Sequence, residues 1–435
     1  MKDTRFAVFK RLLETWQVDP TFRKEMREGA PGLFPSGEGE AMRKAILGIA
    51  GMETVDITQN PYAASYVERN QERARYMEDA FGPSAFRSRE IHAYLERTRN
   101  RCQMESHVLR AAQNFHYAPM VTELSRGCSL ACDFCGLAAE KWTGNAAYDG
   151  ELWRAMLRAS LELIGPAVGE CLCYFATEPM DHPDYEKYIL DQAEVSGSFP
   201  QTTTAAADRD PERTRRLMRL LGEDRLRDQD RLRFSVRSLG HFHRLVKIFS
   251  PEELVHVDLL PNNRESVFPV SDSGRSLNKA GTRLKLRYSI ACVAGLRVDL
   301  VDRSMSFIEP VLPSETFPCG FRILETAVFE GADSFREKMS ALFARHAPAR
   351  LPVDQPIRIH PEVRVLKDDG QIRLAGDGVD FRVKDDPRTA QALDRLREGA
   401  AAEALFREMR LSEKAAEEMS ELMNSMFQQG YLVII

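Results

Sequence analysis

From Tyr117 to about residue 295, short runs of apolar and β-branched residues take turns with longer amphipathic stretches. The runs are MVTEL (120–124), CLCYFA (171–176), QTTTAA (201–206), LRFSVRSL (232–239), LVHVDLL (254–260) and LRYSIACVAGL (286–296). LWRAMLRASLELI and ERTRRLMRLLG are among the helical stretches between them. Parallel strands need a crossover, usually a helix, so a strand–helix alternation repeated about six times predicts parallel β/α units closing into a barrel or an open sheet. In both architectures the chemistry gathers at the carboxyl ends of the strands.

Directly after the first run comes RGCSLACDFCGL (126–137), with Cys128, Cys132 and Cys135 spaced C-x3-C-x2-C and Phe134 before the third. A 4Fe-4S cubane usually takes four thiolates, so three leave one iron open, and an open position on a metal lets a small molecule bind it. A local zinc site would require a fourth ligand, yet the nearest histidines are His116 and His182. Eight cysteines in a chain of 435 residues without a secretory signal are expected to be reduced, so clustered ones read as metal ligands or catalytic thiols. The net charge of −5 gives no pull towards nucleic acid or anionic membrane, and no apolar run approaches spanning length. The expected setting is the cytoplasm.

The cysteine triplet after the first strand resembles the defining motif of the radical S-adenosylmethionine (SAM) superfamily. That resemblance implies an α/β fold, a partial (β/α)6 barrel, with a 4Fe-4S cluster and SAM as cofactors and an electron donor such as flavodoxin or ferredoxin. Carried over strand by strand, Ala176-Thr177-Glu178-Pro179 is similar to the superfamily's Gly-Gly-Glu-Pro turn, with both glycines replaced. Glu178 and Thr177 are thereby expected to contact SAM. Ser235 and Arg237, at the end of the fourth run, match positions that meet its ribose and carboxylate, and Leu260 and Asn262 match backbone contacts to adenine.

Three organisational units are expected. Residues 1–115 form an amino-terminal helical region, with Phe6, Phe9, Leu12, Leu13 and Trp16 at helical spacing. Its ETWQVDPTFRKEMREGAPG stretch is read as an amphipathic helix, although it faintly resembles a nitrogen-fixation-associated leader. Residues 116–350 form the barrel and its extension, ending in a hairpin, the helix SFREKMSALFARH and the proline-containing linker APARLPVDQP. In residues 351–435, Val363/Val365, Ile372/Leu374 and Val379/Phe381/Val383 alternate at period two around Asp369-Gly370, predicting a three-stranded meander followed by helices and a last strand. This unit reads as winged-helix-like and resembles the small peptide chaperone of pyrroloquinoline quinone biosynthesis. The likeness implies that it captures the leader of a ribosomally made precursor peptide by strand addition. DNA binding is the rival reading for a winged helix, and the acids of KDDGQ, GDGVD and KDDP speak against it.

YFATEPMDHPDYEKY, FPQTTTAAADRDPERTR and SIACVAGLRVDLVDRSMSFIEPV resemble the radical SAM epimerases that convert L to D residues in such peptides. The resemblance departs at SETFPCGF, where a Trp-Pro without cysteine is the family pattern. Epimerisation requires a hydrogen donor across the planar Cα radical, and a thiol suits that step. Cys292, read as the end of the sixth strand and so open to the barrel mouth, is the expected donor, with Cys319 as the other candidate. Cys171 and Cys173 read as core packing and Cys102 as inert. A thioether or carbon–carbon crosslinking enzyme, or an iron–sulfur DNA-binding regulator, are the alternatives.

Overall fold

The structure, a computed structural model, describes residues 2–29, 39–53, 56, 59–106, 108–109, 115–222, 231–278 and 284–435. It is a mixed α/β protein in which residues 118–328 carry two strand arrays. Strands β1 (Ala118–Glu123), β2 (Thr202–Thr204), β3 (Leu232–Val236), β4 (Val257–Pro261), β5 (Val293–Asp299), β6 (Ser304–Pro310) and β7 (Phe321–Val328) follow in chain order. The first array is the parallel trio β2–β3–β4, and the second is β1–β5–β6–β7, in which β1 and β5 are parallel and the rest antiparallel. Phe234 of β3 joins Leu217 and Leu245 of the flanking helices in one large core, and Val121, Leu172, Phe175, Val293 and Ile308 form a separate apolar layer.

The two arrays are not the single ladder of six strands expected. CLCYFA contributes only a bridge, Leu172 beside Val121, where the Thr122 N–H donates to the Leu172 carbonyl at 2.8 Å. Beyond it the arrays are stitched by side chains, the Tyr174 hydroxyl to Thr203 and Tyr185 to Thr202, both at 2.8 Å. Regular pairing stops there because the chain turns at Ala176, whose N–H is taken by the Glu123 carboxylate at 2.9 Å. The sixth run also divides. Lys285–Leu286 pairs with Val270–Ser271, and regular strand resumes only at Val293. Glycine is required at 295, where φ is +133° and a Cβ would stand 2.3 Å from the Pro119 carbonyl oxygen.

Among the described residues, α1 (Lys2–Val18), α2 (Pro20–Glu28), α3 (Gly39–Ile49), α4 (Pro61–Phe81) and α5 (Arg89–Glu105) lead into this region. Asp19-Pro20 and Asn60-Pro61 start two of them by one chemistry, an Asx side chain accepting the first free N–H groups and a proline that gives up none at N1. Phe9, Leu13, Met26 and Ile46 give the first helices a core of their own. Helix α1 lies on the outer edge of β4. Lys10, paired with Glu14, donates to the Val257 and Leu254 carbonyls at 2.6 and 3.2 Å, and Glu14 accepts the Leu259 N–H at 3.4 Å.

The flanking helices are α6 (Gly150–Leu163), α7 (Tyr185–Ser196), α8 (Pro211–Gly222), α9 (Leu239–Ile248) and α10 (Ala332–His346). The carboxy-terminal part holds β8 (Pro356–Ile359), the antiparallel meander β9 (Arg364–Asp368), β10 (Gln371–Ala375) and β11 (Asp380–Lys384), helices α11 (Pro387–Glu398), α12 (Ala402–Glu408) and α13 (Glu413–Gln428), and β12 (Leu432–Ile434). The β9–β10 turn uses Asp369 and Gly370, both at positive φ, as a tight hairpin demands. Ile372, Leu374, Leu393, Met423 and Phe427 form its core, which Met104 of α5 enters. Among the described residues no helix is long and apolar enough to cross a membrane.

At the amino ends of the strands Arg231 is buried and bonded to Glu170 at 2.7 Å, with Tyr76 of α4 bonded to both. Removing one member strands the other charge, which costs about 3–5 kcal/mol. Arg231→Met is therefore expected to lower unfolding free energy by about that much in a urea titration, and the Arg231→Met/Glu170→Leu pair to recover most of it. A single mutant as stable as the parent would remove this anchor from the account.

Candidate active site at the cysteine loop

The chain leaving β1 makes a two-residue ladder, Ser125–Arg126 against Gly144–Asn145, and a neck in which Cys128 donates to the Glu140 carbonyl at 2.8 Å and accepts from Trp142 N–H at 3.2 Å. Within the loop the Cys135 N–H reaches the Cys132 carbonyl at 3.3 Å and Ala138 N–H the Cys135 carbonyl at 3.2 Å. Ala131 and Ala138 both sit at positive φ, 47° and 49°. Such conformations cost energy in a non-glycine residue and persist only where the surroundings impose them.

Two clamps impose them. At the front, Asp181 accepts from the Ser129 N–H at 2.8 Å and hydroxyl at 2.5 Å, and Arg209 donates to that hydroxyl at 2.7 Å. At the back, Arg275 donates its backbone N–H to Cys135 O at 2.9 Å, one guanidinium nitrogen to Cys132 O at 3.0 Å and another to Ala139 O. Gly274 makes that approach possible, for a Cβ there would stand 2.4 Å from the Gly136 carbonyl oxygen and 2.5 Å from that of Cys135.

All three thiols are half-buried. Burial pushes Cys132 up to about 11, with Cys128 and Cys135 adding to it, and burial also raises Cys128. A metal must therefore displace protons that the loop holds firmly. Among the described residues no group of three or more His, Cys, Asp or Glu side chains converges as a cage for a metal ion. A cubane makes a different demand, because each cysteine takes its own iron. Three soft donors on one braced loop, which among the described residues do not converge on a single ion, fit a cluster with one open iron better than a one-ion zinc site.

Glu178 is buried on the same side and is the first electrostatic neighbour of Cys128 after the loop's own Leu130. Its carboxylate accepts from Thr204 Oγ1, Ala205 N–H at 2.9 Å and Met180 N–H at 3.1 Å, and burial raises its carboxyl. Thr177 beside it is half-exposed. Ser235, buried, and Arg237 stand at the carboxyl end of β3, where Arg237 reaches Asp208 at 3.4 Å and lowers the Cys132 thiol. Leu260 is near the end of β4 and Asn262 directly follows it, its N–H bonding the Val236 carbonyl at 3.1 Å. The structure thus gathers the triad, Glu178, Thr177, Ser235, Arg237, Leu260 and Asn262 at one end of the strands.

Cys292 is elsewhere. It precedes β5 instead of ending a strand, and its carbonyl accepts the N–H of Ala118, the first residue of β1. It lines a small cavity with Ala118, Leu172, Gln201, Arg231 and Arg233, residues at the amino ends of the strands. The strand end that feeds the cysteine loop lies five residues along β1, roughly 16 Å away at strand rise. The expectation of an opening to the barrel mouth fails because LRYSIACVAGL is not one strand. Cys319 takes the place beside the triad. Its thiol donates to the Leu137 carbonyl at 3.4 Å, and burial, with Cys135 nearby, pushes it up. Cys171, Cys173 and Cys102 are buried in the main core.

Three positioning residues escaped the sequence reading. Glu123 holds the Ala176 turn and pairs with Arg297 at 2.6 Å, and its one signal was an acid in an apolar strand. Asp181 follows Glu178 by three residues, and Arg275 gave no signal at all.

No family model matches the chain. It is 33% identical over 309 residues to the uncharacterized protein y4wI of Sinorhizobium fredii, a match covering 68% of this chain and 59% of that protein. The crystal structure of BtrN in complex with AdoMet and 2-DOIA aligns at 13% identity with a TM-score of 0.25, over 33% of this chain and 56% of that one. A likeness at that level says nothing about this chain's fold or chemistry.

Proposed function

We propose that this chain is a radical SAM enzyme that inverts L to D residues in a ribosomally made precursor peptide. The observation that carries the reading is the braced loop of three thiols at the carboxyl ends of the strands, with a fourth thiol, Cys319, beside it and outside the motif. A 4Fe-4S cluster with SAM, when bound, would supply the radical chemistry that removes a hydrogen atom from a peptide Cα. Cys128, Cys132 and Cys135 would hold the cluster, and Glu178 and Arg237 would meet the ammonium and carboxylate of SAM.

The donor in this reading is Cys319. Its S–H bond breaks as a new Cα–H bond forms on the opposite face, leaving a sulfur radical that takes one electron from a flavodoxin- or ferredoxin-class reductant and one proton from water. Cys292, at the other end of β1, is replaced in that role. The meander β9–β11 and its helices, within residues 351–435, would recruit the leader by strand addition to a free meander edge.

Two outcomes are expected. Cys128, Cys132 and Cys135 changed together to alanine should abolish the visible absorbance of the reconstituted cluster and 5′-deoxyadenosine release. Gly274→Ala, which displaces the Cys135 carbonyl, should lower iron content in a well-folded protein. Retained absorbance in the triple variant would end the cluster assignment.

In deuterium oxide with a precursor peptide substrate, the parent enzyme should place a single solvent deuterium on each inverted residue. Cys319→Ala should still form 5′-deoxyadenosine and give no D residue by chiral analysis, whereas Cys292→Ala should behave as the parent. Loss in the Cys292 variant alone would return the donor role to it, and a peptide that gains a crosslink and no deuterium would move the reaction to the crosslinking class.

A further inference from the structure

Helix α5 separates the sheet β1–β5–β6–β7 from the carboxy-terminal part, and a cavity of about 690 Å³ opens between them. Its lining is strongly basic. Six arginines contribute, among them Arg97, Arg287 and Arg358, with His346 and His360, against Glu105, Glu309 and Glu362. Two of those acids are already committed. Glu309 pairs with Arg322 at 2.7 Å and Arg101 at 3.5 Å, and Glu105 with Arg101 at 3.0 Å and His360 at 2.8 Å. His360 Nδ1 accepts the Glu362 N–H, so Nε2 carries the proton given to Glu105.

Arg97 is the exception that matters. It is 8% exposed, packs over Phe427 at 4.1 Å, donates to the Pro348 carbonyl at 3.0 Å, and among the described residues has no carboxylate within ion-pair distance. The acid that acts on it, Glu309, is ion-paired to Arg322 and Arg101, so the buried guanidinium has no close carboxylate of its own and a further one would be favourable. Arg358, exposed on β8, and Arg287 also lack a carboxylate partner among the described residues.

Strand geometry adds a second, independent feature. Leu432, Val433 and Ile434 all line the cavity. Successive side chains of a strand point to opposite faces, so a cavity touching three in a row runs along the strand's edge. Strand β12 is the outer strand of its sheet, paired to β8 on one side only among the described residues. The facing wall carries Arg322 and Leu324 of β7, likewise an outer strand.

We propose that this cavity binds an extended acidic peptide segment, which adds a strand to the free edge of β12 and gives its carboxylates to Arg97 and Arg358. It rests on the reading of the chain as a peptide-modifying enzyme and assigns a second contact for that peptide, apart from the meander edge. A cavity this large suits a peptide better than a lone inorganic anion.

The test uses the full chain and a fluorescein-labelled dodecapeptide of alternating aspartate and leucine, followed by anisotropy. The aspartate probe should bind, and its asparagine counterpart should bind at least about tenfold more weakly, as expected when charge-assisted bonds are lost. Arg358→Glu, on the surface, should weaken the aspartate probe by about tenfold or more at unchanged melting temperature. Arg97→Met, which puts an apolar chain of similar length against Phe427, should weaken the aspartate probe in the same way, with circular dichroism confirming that the variant is folded. Equal binding of both probes, indifference to Arg358→Glu, or displacement by inorganic phosphate as readily as by unlabelled aspartate peptide would each overturn the proposal. Cluster absorbance and 5′-deoxyadenosine release, measured alongside, report on the catalytic reading separately.

Discussion

The buried carboxylate of Glu123 is the joint on which the site depends. It ends β1, pairs with Arg297 of β5 and takes the N–H of Ala176. One side chain therefore fixes the parallel pairing of β1 with β5 and the bend that carries Glu178 to the loop. Burial raises its carboxyl, and Arg297 with the Ala176 N–H offsets that penalty. A charge in this position is tolerable only while all its partners are present, so it enforces one arrangement of three segments adjacent in space and distant in sequence.

Much of this was legible because the signals were local. Period-two alternation located the meander, Asp369-Gly370 its turn, and of the parallel strands β3 ends at Val236 inside its apolar run and β4 at Pro261, one residue past its own. The cysteine spacing named a loop and a donor set. What stayed hidden was non-local. CLCYFA has the composition of a strand, yet the Glu123 carboxylate diverts it. LRYSIACVAGL reads as one run, yet two different partners divide it, which misplaced Cys292. Strand composition reports what a segment can do, and its neighbours decide how much of it does so.

Cys292 and Cys319 show the same limit from the side of chemistry. In sequence both are lone cysteines, Cys292 inside an apolar run and Cys319 in the stretch SETFPCGF. Only the folded chain puts one beside Cys135 and the other beside Arg233. The clamps tell a parallel story, since Asp181 and Arg275 lie far from the loop in sequence and act on its backbone, which no residue type advertises.

The contact of α1 with β4 carries a consequence for handling the protein. β4 is an outer strand with its own row of backbone donors and acceptors, and Lys10 and Glu14 occupy the Val257 carbonyl and Leu259 N–H that another chain would pair with. An exposed strand edge is a template for intermolecular pairing. The first helix thus works as a built-in guard against self-association, and shortening the chain from its amino end would trade a smaller protein for a sticky one.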